Sequence, residues 1–201
     1  MATPSAPLDG RMMVCGSCKI MFAWQAPESD GGSPITTYAL TLTPENMSPT
    51  LYTITDAYYE ATDLLANVPI QATVKASNDN GLTYGPEYTF LQVTPIEAPS
   101  AAPASATASV VSEGTAEITW EPAPIAPQGI CNYLVMAQSL NPSDPSVGIA
   151  TSSLEQTSCQ IAELNPTSEY FFTVCIVNQV GRSPVATTNT VSFMETPVPL
   201  S

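Results

Sequence analysis

Apolar and polar residues alternate with a period of two along much of the chain. Ile20, Phe22 and Trp24 are interleaved with Met21 and Ala23, and Ile70, Ala72, Val74 and Ala76 with Gln71, Thr73 and Lys75. Further on, Ala116, Ile118 and Trp120 are interleaved with Glu117 and Thr119, and Tyr170, Phe172, Val174 and Ile176 with Phe171, Thr173, Cys175 and Val177. Successive side chains of a strand point to opposite faces, so each run sets one strand face into a core. Turn-forming residues separate the runs, at Glu28 to Pro34, Asn78 to Gly81 and Asn141 to Pro145. No segment carries the period of an amphipathic helix. Short strands with turns between them predict an antiparallel sandwich.

The pattern occurs twice. Trp24 with Pro27 matches Trp120 with Pro122 and Pro124, and Tyr38 matches Tyr133. Later the offset is a constant 100: Leu64 pairs with Leu164, Ile70 with Tyr170, Val74 with Val174, Asn78 with Asn178 and Gly81 with Gly181. The second unit has extra residues between Ser139 and Ser153. A repeat of this length fits a whole small domain rather than a solenoid unit. The expected domains are residues 1–95 and 96–201.

Three groups of residues carry a family resemblance. Trp24 with Pro27, and Trp120 with Pro122, resemble a core tryptophan ending a second strand. Asp30 to Tyr38 resembles a loop into a third strand. Leu164, Pro166 and Tyr170, followed by alternation up to Asn178 and Gly181, resembles a tyrosine corner and the strand after it. On these residues nearly the whole chain resembles the fibronectin type III family. The resemblance implies an all-β fold class: two tandem immunoglobulin-like, fibronectin type III-like antiparallel β-sandwiches. It also implies that the Tyr170 hydroxyl bonds upstream backbone and so fixes a chain reversal. The first unit has Ile70 in that place. It must close the corner by packing alone, and is expected to be the less stable domain.

Composition narrows the function. Lys and Arg number 4 against 18 Asp and Glu, a net charge of −14 over 201 residues. Nucleic acid binding draws on basic side chains to replace phosphate counterions, and an anionic membrane surface attracts the same groups; neither nucleic acid binding nor membrane insertion is expected. The acidity itself keeps a particle soluble. No stretch approaches the roughly 20 apolar residues that span a bilayer. The N-terminal segment has no basic region followed by an apolar run and does not read as a signal peptide.

The sequence has no histidine. The commonest general base, the usual serine and cysteine triads and most zinc sites are therefore missing, and no phosphate-cradling glycine loop is present. The expectation is no enzyme, no catalytic residues, no cofactor and no metal. Cys15-Gly16-Ser17-Cys18 has the spacing of a redox pair or half a metal site, but no second pair completes it; plain thiols and a strand-linking disulfide both remain open. Five cysteines, an odd number, lean toward reduced thiols. Cys159 shares parity with core Ile161, Cys175 has outward parity and Cys131 lies near Tyr133. The acids Asp30, Asp79 and Glu87 read as solvated loop residues. Asn46-Met47-Ser48 matches a glycosylation acceptor, a pattern that arises often by chance.

What is left is surface contact. The resemblance places the loops Asn78 to Pro86 and Asn178 to Pro184 where the family makes integrin-type contacts, without an Arg-Gly-Asp sequence here. Tyr84 and Arg182 at these tips, with Tyr52, Tyr58 and Tyr88, are the candidate partner contacts, since tyrosine is enriched at interfaces; Tyr59 shares inward parity with Ala61 and is left out. Strand edges add further docking positions. The Pro- and Ala-rich segment Pro95 to Ser105 is expected to be an extended, semi-rigid linker. With strands of about ten residues each domain would be ~35 Å long, and the pair a rod of roughly twice that. The expected function is that of a structural or interaction protein, foremost a virion component: a minor capsid, decoration or tail-associated protein whose partners are capsid or surface proteins. The alternative is a cell-surface adhesion or receptor fragment, or an accessory spacer or carbohydrate-binding module of a secreted enzyme, with an extracellular or cell-surface location.

Overall fold

The computed structural model describes residues 2–194. Met1 and residues 195–201, where the expected second domain ends, lie outside the described residues. The chain divides into two compact units between Glu97 and Ala98. The described residues contain strands and turns and no helix.

In the first domain the strands are β1 (Leu8–Gly16), β2 (Lys19–Gln25), β3 (Thr37–Pro44), β4 (Thr50–Ile54), β5 (Tyr58–Ala61), β6 (Ile70–Ser77) and β7 (Glu87–Thr89). They form a three-stranded sheet, β1-β2-β5, and a four-stranded sheet, β4-β3-β6-β7, with antiparallel pairing throughout. The alternation explains the architecture. Ile20, Phe22 and Trp24 face inward from one sheet; Tyr38, Leu40, Leu42, Ile70, Ala72, Val74 and Ala76 face them from the other. Each large apolar side chain taken from water contributes on the order of 2 kcal/mol. Trp24 meets Tyr38 edge to face, centroids 5.4 Å apart.

The second domain repeats this plan with β8 (Ser105–Ser112), β9 (Thr115–Glu121), β10 (Asn132–Ser139), β11 (Val147–Ala150), β12 (Ser158–Ile161) and β13 (Glu169–Asn178). Three short pieces, β14 (Gly181–Arg182), β15 (Ala186–Thr187) and β16 (Val191–Ser192), each pair with β13. The sheets run β12-β9-β8 and β11-β10-β13-β14. Trp120 meets Tyr133 edge to face at 5.1 Å, as its counterpart does in the first domain.

The tyrosine corner is present where the resemblance puts it. The Asn165 N–H donates to the Tyr170 hydroxyl oxygen at 3.0 Å. That hydroxyl donates in turn to Asp144 Oδ2 at 3.2 Å. Asp144 also accepts from Ser139 Oγ at 2.6 Å and Asn165 Nδ2 at 2.9 Å. The extra residues after Ser139 thus fold back and lock the corner. In the first domain Ile70 fills the corresponding place, buried, and exchanges two backbone hydrogen bonds with Val93 at 2.7 and 3.1 Å.

Two expectations change here. Pro95 to Ser105 is not a free extended linker from its first residue: Pro95 O accepts from Asn67 N at 2.9 Å, and Ile96 is buried with its carbonyl bonded to Cys18 N at 2.9 Å. Cys175 does have outward parity, yet it is buried at 6% exposure. It lies in register with Leu134 and beside Arg182, and its side chain is too short to rise above such neighbours.

Candidate interaction surfaces

Between β6 and β7 the chain must reverse over a short loop, and its composition supplies the means. Asn80 and Gly81 take positive φ values of 60° and 82°, which Asn and Gly tolerate best. Asp79, at the start of the loop, binds it from within. Its Oδ1 accepts from Ser77 Oγ at 2.6 Å and from the Thr83 N–H at 2.9 Å, and its Oδ2 from Thr83 Oγ1 at 2.5 Å. Ser77 Oγ accepts from the Gly81 N–H at 2.9 Å, and Thr36 Oγ1 from the Asn80 N–H at 2.9 Å. These donors, Ser77 first and then Thr83, hold the Asp79 carboxyl down at about 2. Asp79 is therefore an organiser of the loop while remaining at the surface. Asp30 and Glu87 are exposed, as expected: Asp30 Oδ1 accepts from Gly32 N at 2.8 Å, and Glu87 sits 3.5 Å from Lys75 Nζ.

The product is a pre-shaped tip on which Leu82 stands 84% exposed. Tyr84 lies half-buried behind it, so close to Gly81 that any side chain there would meet its hydroxyl. Below the tip, the buried Asn78 donates through Nδ2 to Asp30 O at 2.6 Å and to Ala2 O at 3.0 Å, joining neighbouring loops. The second domain uses Asn178 in the same way. Its Oδ1 accepts from the Val180 and Gly181 N–H groups at 3.0 and 3.1 Å, and its Nδ2 donates to Gln128 O at 3.1 Å. Arg182 is exposed just beyond, opposite Val177.

The other candidate tyrosines separate by environment. Tyr58 is 58% exposed on β5. Tyr52 is half-buried against the core, its ring 4.7 Å from that of Tyr59. Tyr88 also packs on the core; its ring covers Gly10 and its hydroxyl donates to Gly10 O at 3.3 Å. The structure thus leaves Tyr58 and Arg182 open to a partner, Tyr84 partly so, and gives Tyr52 and Tyr88 packing duties. Leu82 escaped notice because a leucine in a loop has no periodicity to expose it. Asp79 stood out only as a loop acid; its grip on the loop was not legible, because its partners are brought together by the turn and not by spacing.

All five cysteines are free thiols. Cys15 is exposed at the end of β1, and Cys18 sits in the hairpin turn with φ 55°, its Sγ donating to Glu97 Oε1 at 3.6 Å. Burial pushes the Cys159 thiol up to about 11 and raises those of Cys131 and Cys175. Among the described residues, no group of three or more His, Cys, Asp or Glu is placed to hold a metal ion.

The sequence profile of the Fibronectin type III domain matches residues 101–192. The chain is 29% identical, over 189 residues and 92% of its length, to Myosin-binding protein C, fast-type, of Mus musculus and likewise of Gallus gallus. It spans only 16% of the length of those relatives. Among solved structures, the chicken CNTN1 FN1-FN3 domains have a TM-score of 0.67 at 20% identity, covering 94% of this chain and 67% of that one. This last likeness is one of fold. The second domain is matched by the family profile itself and the first has the same strand order, so the chain is a tandem pair of fibronectin type III-like β-sandwiches.

Proposed function

We propose that the chain is a non-enzymatic interaction protein, which acts by presenting pre-shaped loop and sheet surfaces to other proteins of an assembly. One observation carries this reading. The loop after β6 is held by a network of hydrogen bonds among Thr36, Ser77, Asp79, Asn80, Gly81 and Thr83, while Leu82 at its tip is 84% exposed. A rigid apolar tip lowers the ordering entropy of binding. The relatives support the same reading, since they are named for binding another protein and align over 92% of this chain. The virion role expected from the sequence draws no support from them. We propose the alternative setting, adhesion or receptor-type contact between cellular proteins.

The test is site-specific photo-crosslinking in the source organism, with a photoreactive residue in place of Leu82. A reproducible protein adduct is expected, reduced several-fold when Asp79→Ala frees the loop. No adduct above that of an unmodified chain, or a free monomer with hydrolytic or redox turnover, would overturn the reading.

A further inference from the structure

The outer faces of the two three-stranded sheets share one frame and differ in chemistry. Across the first domain, Arg11, Ala23 and Tyr58 lie side by side, and next to them Met13, Met21 and Glu60. The matching rows of the second domain are Thr107, Thr119 and Ser158, then Ser109, Glu117 and Gln160. Every one of the latter is polar, as an outward face of an antiparallel sheet ordinarily is. The same fold is therefore satisfied by polar residues, and the apolar face of the first domain is not a requirement of folding. Met13 is 59% and Tyr58 58% exposed. Arg11, Met12, Met13, Met21 and Ala23 line an open groove of about 380 Å³.

Charge adds a second observation. Lys19 Nζ lies 3.6 Å from Glu60, and Lys75 Nζ 3.5 Å from Glu87. Arg11, at the rim of the groove, has no carboxylate within ion-pair reach among the described residues, although the chain carries 18 acids. An exposed guanidinium beside thioethers is suited to a carboxylate set next to apolar side chains: the guanidinium fork matches a carboxylate, and methionine adapts its shape to what it meets.

We infer that this face is a docking surface for an extended segment of another protein, which lays apolar side chains over Met13, Met21, Ala23 and Tyr58 and sets a carboxylate against Arg11. Adjacent rows along the strands are roughly 7 Å apart, the spacing of alternate side chains in an extended chain. A second copy is a poor occupant, because each copy carries a net charge of −14 and repels the other. The inference rests on the reading of the chain as an interaction protein and gives it a partner chemistry.

The experiment uses the whole chain with its methionine methyl groups ¹³C-labelled. The probes are short synthetic peptides with Leu, Met or Phe at alternate positions and a terminal Asp, each paired with its Asn analogue. Asp peptides are expected to shift the Met13 and Met21 signals and leave Met47, exposed in the turn after β3, unmoved. The Asn analogues are expected to bind about tenfold more weakly, the order of one charge-assisted hydrogen bond. Arg11→Gln should erase that difference. Met21→Glu, the residue found at the matching place in the second domain, should abolish binding without lowering the melting temperature. Four results would overturn the inference: no response of Met13 and Met21 to any peptide, equal binding of Asp and Asn forms, binding retained by Met21→Glu, or concentration-dependent shifts without peptide, which would assign the face to a second copy. If the Leu82 adducts persist while the methionines ignore every peptide, this surface falls and the interaction reading stands.

Discussion

At the residue scale, Trp24 and Trp120 each anchor one core, both buried and both set edge to face on a tyrosine. Trp24→Ala and Trp120→Ala are each expected to cost about 3–5 kcal/mol, measured by denaturant unfolding with domain-specific probes; a loss below about 1 kcal/mol would mean the site is not core. Asp79 and Asp144 provide a pH signature. Asp144 is held at about 2, chiefly by Asn165 and then Ser139, below the ordinary 3.8. The unfolded chain then binds the proton more tightly than the folded one. The stabilisation is present above the ordinary carboxylate range and is lost as pH falls from about 4 toward 2. Melting temperatures of the second domain should fall in that window, and Asp144→Asn should flatten the decline; Asp79→Asn should do the same in the first domain. Both tryptophans were legible in the sequence, since each ends an alternating run followed by proline. The bonds of Asp79 and Asp144 were not, because their partners converge only once the loops have folded. Cys175 was legible in direction and not in burial, because parity says nothing about the height of neighbouring side chains.

At the element scale, β6 and β13 occupy the same place and end their corners differently. Tyr170 bonds the Asn165 backbone and Asp144, while Ile70 has no side-chain polar group and relies on its packing and its backbone pairing with Pro44 and Val93. Tyr170→Phe should cost about 1–2 kcal/mol, the worth of the two hydrogen bonds lost. For the same reason the first domain, residues 2–97, should melt below the second, residues 98–194, when each is studied alone by calorimetry; the reverse order would defeat the argument. β1 carries its own constraint. Its register shifts between Leu8 and Arg11, where Gly10 passes beneath the rings of Tyr88 and Phe90. Gly10→Ala drives a methyl into the Tyr88 ring and should destabilise the first domain by roughly 1–3 kcal/mol. Strand positions were legible from alternation. The methionine-rich face was not, because Met13 and Met21 each fall singly at outward positions; only a comparison of matching positions in the two sheets, Glu117 in the second standing where Met21 does in the first, exposes it.

At the scale of the whole molecule, each domain closes around its own core cluster. Trp24→Ala should therefore lower only the first thermal transition, and Trp120→Ala only the second. A single shared transition displaced by either change would show that the cores are coupled. The shift in β1 has a mechanical consequence. Ahead of it, the bonds that hold the N-terminal stretch include Ser5 N to Ser29 O at 2.8 Å and Asn78 Nδ2 to Ala2 O at 3.0 Å. β8 has no such break near its start: it pairs continuously with β9 from Ser105 to Val110. Under tension applied from its N-terminal side, the first domain loads its bonds in sequence, and residues 2–9 should peel away at low force before the sandwich ruptures. The second domain shares the load across β8 and should yield in one step. The tandem would thus act as a graded spring, with a short early extension ahead of two full unfolding events in a single-molecule pulling trace.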